Sequence, residues 1–403
     1  MPVGPLKQHL LKKIADACRA AFQHSPEELE IGFPPDLQFG HFAVGCFSLS
    51  KKLRRNPTEI AKSIAAGIAS DDVILKATAA GPYINCTLHP GRLFGDLLAG
   101  ISSAGETYGD SHAGAGLQAM VEYLSPNTNK PLHLGHLRNA ALGIAVSRML
   151  AAAGHPVVKS ILINDRGVHI CKSMLAWERF AGGATPQSEG VKGDHFVGRW
   201  YVRYAIESEK DAALEKGIQE MLQKWESGDL DTLALWKRMN RWVYDGFAET
   251  YRSFGMDFDV FYYESETYKL GKDVIAAGLQ KGVFATDERG NTVFHLPEKQ
   301  FGLEKNGSPK KVTVLRPDGT SLYITQDIGT AILKVTEHHL DISVYVVGSE
   351  QEHHFKCLFA ILDALGYAWA PNCRHLSYGM VYLPEGKMKS REGKVVDADD
   401  LIA

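Results

Sequence analysis

The chain has 403 residues, of which 45% are hydrophobic and 23% charged, and its net charge is -3 at pH 7. That length implies roughly two to three domains at ~100–200 residues each, no apolar run approaches the ~18 residues of a membrane helix, and Met1-Pro-Val-Gly-Pro-Leu-Lys7 carries no apolar secretory core. The slight negative charge does not mark a polyanion binder, although Lys51-Lys-Leu-Arg-Arg55 is locally basic and suits phosphates or a solvated helix end equally. The six cysteines, Cys18, Cys46, Cys86, Cys171, Cys357 and Cys373, form no CxxC pair. They read as reduced thiols of a cytoplasmic protein, with no metal site expected among them.

In chain order, Leu6–Phe22 has amphipathic helical spacing, Gly32-Phe-Pro-Pro-Asp36 is a turn, and Gly40–Lys52 reads as a resumed helix. Asn56-Pro57 opens a helix to Ala69, and residues 81–88 alternate as a strand, so residues 1–112 read as an α+β module closed by the Gly-rich stretch 105–116. Residues 118–124 then form a strand, 136–153 a helix, 157–163 a β-branched buried strand and 166–180 a helix. A long insertion, about 181–311, is helical at 199–222 and 229–254 and resembles a Gly-Asn hairpin at 283–295. Ser321–Thr325 reads as a strand feeding a helix at 326–338, followed by a strand at 341–347 and a helix near 352–365. This alternation predicts an α/β chain with a doubly wound parallel sheet and ligands at the carboxyl ends of its strands.

The helix after the first of these strands opens at His133-Leu-Gly-His136. Two histidines three apart share one face of its first turn. Unpartnered backbone N–H groups and the positive dipole end are expected around them, and Gly135 leaves room for a ligand to approach. The structural alternative is a capped helix with two surface histidines. Late in the chain, Gly386-Lys-Met-Lys-Ser-Arg-Glu-Gly393 crowds Lys387, Lys389 and Arg391 into a Gly-flanked loop, suited to closing over a polyphosphate.

The pair HxGH and KMxSR resembles the nucleotide-binding elements of class I aminoacyl-tRNA synthetases. The run V-E-Y-L-S-P-N-T-N-K-P-L-H-L-G-H-L-R-N from Val121 is similar to the arginine-and-ATP motif of the arginyl-tRNA synthetases. Ile163-Asn-Asp-Arg-Gly167, Leu322-Tyr-Ile-Thr-Gln-Asp-Ile-Gly329 and Gly348-Ser-Glu-Gln-Glu-His-His354 follow in the family's order, and the similarity runs from about Leu29 to the last residue. The resemblance implies a small N-terminal domain over 1–112 that meets the tRNA elbow, with Tyr83 and Asn85 as candidate contacts unless they simply pack. It implies a Rossmann-type catalytic domain over 113–403 with the 181–311 segment as its connective insertion. A C-terminal helical anticodon-binding domain is expected beyond Ala403, so the chain reads as a truncated piece.

A guanidinium presents a planar fork of donors that a carboxylate meets with two parallel bonds. The resemblance places Glu122, Asn127, Tyr323, Asp327 and Gln351 around arginine, with His136 toward its α-carboxylate. Which acid takes the guanidinium stays open, Asp327 being favoured with Tyr323 beside it. Taken singly, Glu122 also reads as an edge residue, Asn127 as a turn former and Asp327 as a first-turn helix acid. His133 and His136 are expected on the ATP phosphates, Gly135 beneath the nucleotide, Gly348 and Gly379-Met380-Val381 near ribose and adenine, and Lys387 and Lys389 as mobile cations. Ser390 stands where the usual loop carries a second lysine, and Lys130 is expected to supply that charge from the opposite wall, its alternative being a solvated turn lysine.

The implied activity is ATP- and Mg2+-dependent arginylation of tRNA through an arginyl-adenylate, without a membrane. The rivals are an inactive arginine- or nucleotide-binding or RNA-scaffold relative, against which the intact pocket argues, and another adenylating nucleotidyltransferase, which would lack that pocket.

Overall fold

The computed structural model describes residues 4–26, 29–211, 213–383, 386–387 and 396–403. The chain divides into two units, Met1–Asp110 and Ser111–Ala403.

The first unit runs α1 (Gly4–Phe22), β1 (Ile31–Gly32), β2 (Phe42–Gly45), α2 (Phe47–Leu53), α3 (Pro57–Gly67), β3 (Ile74–Ala80), β4 (Tyr83–Leu88) and α4 (Pro90–Ala104). Its sheet has the order β1-β2-β4-β3, with every pair antiparallel. Leu6, Leu10, Ile14 and Cys18 form one stripe of α1 and share a core with Ile60 and Ile64 of α3. Asn56 accepts from the Thr58 N–H at 2.9 Å, which caps α3 ahead of Pro57 as its sequence implies.

The helix expected over Gly40–Lys52 is corrected: Phe42–Gly45 is a strand, and the helix starts only at Phe47. Gly40 has φ +115°, and a Cβ there would lie 2.7 Å from the Cys86 carbonyl oxygen, so the chain enters as a strand beside β4. Phe42 and Val44 then alternate into the core, a period-2 pattern too short to outweigh the helical spacing around it.

The second unit begins β5 (Ala119–Glu122), α5 (Leu134–Ala152), β6 (Val157–Ile163), α6 (Val168–Phe180), α7 (Pro186–Glu189), α8 (Gly193–Ser208), α9 (Ala213–Ser227), α10 (Leu230–Phe254), β7 (Val260–Tyr263), α11 (Glu264–Thr267) and α12 (Lys272–Gln280). It continues β8 (Ala285–Thr286), β9 (Thr292–His295), α13 (Glu298–Phe301), β10 (Lys311–Leu315), α14 (Tyr323–His338), β11 (Ile342–Gly348), α15 (Glu352–Ala364), β12 (Cys373–Tyr378), β13 (Tyr382–Leu383), β14 (Gly386–Lys387) and α16 (Ala398–Ile402).

Five strands make a parallel sheet in the order β12-β11-β5-β6-β7. Read in chain order from β7, this is the 3-2-1-4-5 arrangement of a doubly wound fold, and the order reverses between β5 and β11. All four residues of β5 are buried, as a strand covered on both faces must be. The carboxyl ends of β5 and β11, at Glu122 and Gly348, therefore flank the crevice where such folds hold ligands.

Two expectations change here. Val260–Tyr263, inside the segment read as an insertion, is the edge strand of this sheet. Ser321–Thr325 is not a strand: α14 starts at Tyr323, and the Thr325 hydroxyl donates to the Val314 carbonyl of β10. Trp242, Phe247 and Tyr251 of α10 lie in the core, with Trp236 and Phe254 packed against it, as their helical spacing implies. All six cysteines are free and buried.

One side chain joins three strands. Asn139, the last residue of His-Leu-Arg-Asn, accepts from the Leu124 N–H at 2.6 Å. It donates to the Val346 carbonyl and to the Tyr378 hydroxyl, both at 2.7 Å. Leu124 itself holds φ +59°, a left-handed conformation rare for leucine, just past the end of β5.

Candidate active site

Past Leu124 the chain leaves β5 in an extended run. Asn127 bridges to Asn164 beyond β6, the Thr128 N–H donates to the Asn164 carbonyl at 3.1 Å, and the Asn164 N–H donates to the Pro126 carbonyl at 2.9 Å. Helix α5 then begins with reciprocal caps. His133 Nδ1 accepts from the Gly135 N–H at 3.1 Å, and His136 Nδ1 accepts from the His133 N–H at 3.1 Å. The two rings lie 3.9 Å apart between centroids.

The free backbone donors expected at this helix start are a correction. The Leu134 N–H donates to the Val396 carbonyl at 3.0 Å and the His136 N–H to the His133 carbonyl at 2.7 Å, so the donors of the first turn are already met. What remains to meet an anion is the imidazoles. An Nδ1 that accepts leaves the ring proton on Nε2, so each neutral ring is a donor at its far nitrogen.

Burial, reinforced by the nearby Lys130 charge, pushes His133 down to about 4. Burial first, then His133 and Lys130, hold His136 well below the ordinary histidine range. Depressed values mean that the folded chain binds fewer protons than the unfolded chain between the ordinary 6.5 and about 4. Stability therefore rises with pH across that window and is lost on acidification. A His133→Asn variant, which keeps a side-chain cap, is expected to show a flatter Tm profile between pH 4 and 7, measured by thermal melts; an unchanged slope rejects this origin.

At the carboxyl end of β5 lies a cavity of about 370 Å³ whose lining includes Glu122, Tyr323, Asp327, Lys334, Gln351 and His354. Tyr323 and Asp327 are four residues apart on one face of α14, and Gln351 follows β11. Asp327 lies past the first turn, so it is not the helix cap. Its Oδ2 meets His354 Nε2 at 2.6 Å. Glu122 closes the cavity from the end of β5, where its carboxylate pairs with Lys334.

Four of the five expected arginine contacts thus line one cavity. Asn127 is absent from the lining, where its bridge partner Asn164 and its neighbour Ser125 stand instead, and His136 is not part of it either.

Lys334, His354 and Glu264 were not foreseen. Lys334 lies seven residues after Asp327, a spacing that returns to the same helix face. Glu264 follows β7 at the carboxyl edge of the sheet. Burial pushes its carboxyl up to about 7; the Asp165 and Asp327 charges add to this and Arg166 opposes it. Asp165 fixes the chain beside Glu264: it accepts from the Ser265 N–H at 2.8 Å, the Ser265 hydroxyl at 2.7 Å and the Tyr244 hydroxyl at 2.9 Å.

On the other side of the switch point, Gly348 pairs with Tyr378 across β11 and β12. A Cβ on Gly348 would lie 3.4 Å from Met380 Sδ, which puts Met380 against the β11 end, with Gly379 and Val381 beside it in the chain. Strands β13 and β14 form a hairpin in which Tyr382 pairs with Lys387. Lys389 and Ser390 lie outside the described residues. After them the chain returns to the helix start, where the Ala398 N–H donates to the Leu132 carbonyl at 3.1 Å.

Helix α16 is then held by Lys192, whose ammonium donates to Asp399 at 2.6 Å, and by His195, 3.0 Å from the same oxygen. Asp194, His195 and Asp399 have the spacing of metal ligands. The Lys192 ammonium already stands among them, 3.4 Å from Asp194, so we read an ion-pair network. In the first unit, Asn85 is buried and Tyr83 is half exposed with its ring edge-on to Phe47 at 5.5 Å.

Residues 101–403 match the family described as "tRNA synthetases class I (R), catalytic domain", and residues 8–88 match "Arginyl tRNA synthetase N terminal domain". The chain is 47% identical over 384 residues to the arginine--tRNA ligase of Treponema denticola, covering 94% of this chain and 63% of that relative. It is 43% identical over 418 residues to that of Bacteroides thetaiotaomicron, covering 98% and 68%. Among solved structures, the Thermus thermophilus arginyl-tRNA synthetase is similar with a TM-score of 0.69 at 25% identity, over 98% of this chain and 68% of that one. The chain spans 63% of the length of the Treponema relative.

Proposed function

This chain belongs to the arginyl-tRNA synthetase family, and from that premise we propose that the protein attaches L-arginine to tRNA through an arginyl-adenylate. The observation that carries the reading is the convergence of Glu122, Tyr323, Asp327 and Gln351 on one cavity at the carboxyl end of β5, the strand that leads into the HxGH helix. The arginine carboxylate attacks the α-phosphate of ATP, pyrophosphate leaves, and the terminal ribose hydroxyl of tRNA then takes the arginyl group. No protein nucleophile is needed; catalysis is positioning and charge stabilisation.

In this reading Asp327 takes the guanidinium, with Tyr323 at the mouth and Gln351 across the cavity, while Asn127 and His136 lie on the α-carboxylate and ammonium side. The Nε2–H groups of His133 and His136 donate to the phosphates, with Gly135 beneath them. Gly348, Gly379, Met380 and Val381 supply the ribose and adenine wall. Lys130, whose charge is felt by both histidines, shares the phosphates with Lys387 and Lys389.

Magnesium, if bound, would be held by the ATP phosphates and would supply charge neutralisation for the leaving pyrophosphate. The first unit, with Tyr83 exposed on it, is the surface for the tRNA elbow. Among the described residues no helix is long and apolar enough to cross a membrane.

Arginine-dependent ATP–pyrophosphate exchange, with and without tRNA, tests the reading on the natural protein; no exchange in either condition, or exchange with another amino acid, rejects it. In the same assay Lys130→Ala is expected to lower kcat at least about 100-fold, as loss of one preorganised charge does. If Lys130→Ala leaves exchange intact while Lys389→Ala abolishes it, Lys130 does not stand in for the lysine missing at Ser390.

A further inference from the structure

Lys334 is 2% exposed, the one buried lysine among the described residues. It ends a stripe of α14 that begins with Tyr323, 75% exposed, and passes through Asp327 and Ala331. Successive members are three or four residues apart, so the stripe runs from the cavity mouth to its floor along one helix face. At the floor the Lys334 ammonium pairs with Glu122. It also lies 5.2 Å from the Tyr262 ring of β7 and 5.4 Å from the Tyr345 ring of β11, strands on opposite sides of β5.

A buried ammonium is costly unless its charge is met, and here one carboxylate and two aromatic faces meet it. The pairing has a consequence for any cationic ligand. Glu122 and Asp327 line the same cavity, but Glu122 already holds a cation of the protein's own. A second cation entering as far as Glu122 would face the Lys334 ammonium.

We propose that Lys334 is a positioning residue of the arginine pocket: it holds the Glu122 carboxylate at the floor and cancels its charge, so that Asp327 is the acid that selects the incoming guanidinium. This rests on the arginine reading above. Removing Lys334 leaves a bare carboxylate beneath the pocket, free to turn and to compete with Asp327. Removing Glu122 alone leaves a bare ammonium there, which repels the substrate. Removing both restores neutrality.

The test is a double-mutant cycle in the natural protein, with L-arginine binding followed by calorimetry and KM by pyrophosphate exchange. Lys334→Met and Glu122→Gln are each expected to raise KM for arginine about 100-fold, on the scale of breaking a buried pair, with KM for ATP changed by less than about threefold. The double variant is expected to recover at least about tenfold relative to either single variant.

A merely structural role for Lys334 predicts instead that both KM values move together with a fall in Tm, and that result overturns the proposal. Additive losses in the double variant overturn it too. If Lys334→Met does not fold, the comparison of Glu122→Gln with the double variant decides: the double must bind arginine more tightly, and equal or weaker binding rejects the proposal. Unaltered protein that binds no arginine fails the arginine reading itself. Unaltered protein that binds arginine alongside additive variants fails only the role given to Lys334.

Discussion

An Asp327→Asn protein is expected to lose about 10³- to 10⁴-fold in kcat/KM for arginine, with KM for ATP within a few-fold of the unaltered protein. The carboxylate offers two acceptors to the guanidinium fork; the amide offers one acceptor and turns two donors toward donors. The change is nearly isosteric, so packing in α14 is preserved, and the loss reports recognition. His354, 2.6 Å from Asp327 Oδ2, would keep a partner only at the amide oxygen. Pyrophosphate exchange at varied arginine measures the effect. A loss smaller than about tenfold, well short of the discrimination a lost charged hydrogen-bonding partner brings, would move the guanidinium to another acid, Glu122 of the same cavity or Glu264, whose carboxyl feels the Asp327 charge.

The second large effect is on stability. Asn139→Leu keeps the volume but strands the Leu124 N–H, the Val346 carbonyl and the Tyr378 hydroxyl, which Asn139 meets at 2.6, 2.7 and 2.7 Å. An orphaned buried polar group costs about 1–3 kcal/mol, so a loss of about 3–6 kcal/mol is expected in the unfolding free energy. It is read from urea denaturation of the second unit. The three groups sit where β5, β11 and β12 end, so the same substitution should also weaken ATP binding through Gly348 and Met380. A loss under about 1 kcal/mol would mean that the strand ends relax or recruit water.

Most of the catalytic frame was legible. Helix α5 announces itself by its histidine–glycine opening, β6 by a run rich in valine and isoleucine after Gly154-His-Pro156, and α15 by its spacing. Each signal is local and long enough to outweigh its surroundings. Residues 42–45 were misread because a four-residue alternation is weaker evidence than the helical spacing flanking it, and only pairing with β4 makes it a strand. Val260–Tyr263 has strand composition but no local mark of which sheet it joins; that depends on β6, about a hundred residues earlier.

The site divides in the same way. Sequence alone determined which residue types are present and in what order, and so the family, the Rossmann-type frame, and the choice of Glu122, Tyr323, Asp327 and Gln351 as pocket candidates, because periodicity and motif spacing are properties of the chain. Only the tertiary structure decided how their charges are met: that the backbone donors of the HxGH turn are already taken, leaving imidazole Nε2–H groups, and that Glu122 is paired with Lys334 from 212 residues away. Partners brought together by folding set protonation and charge balance, and no local pattern records a partner that distant.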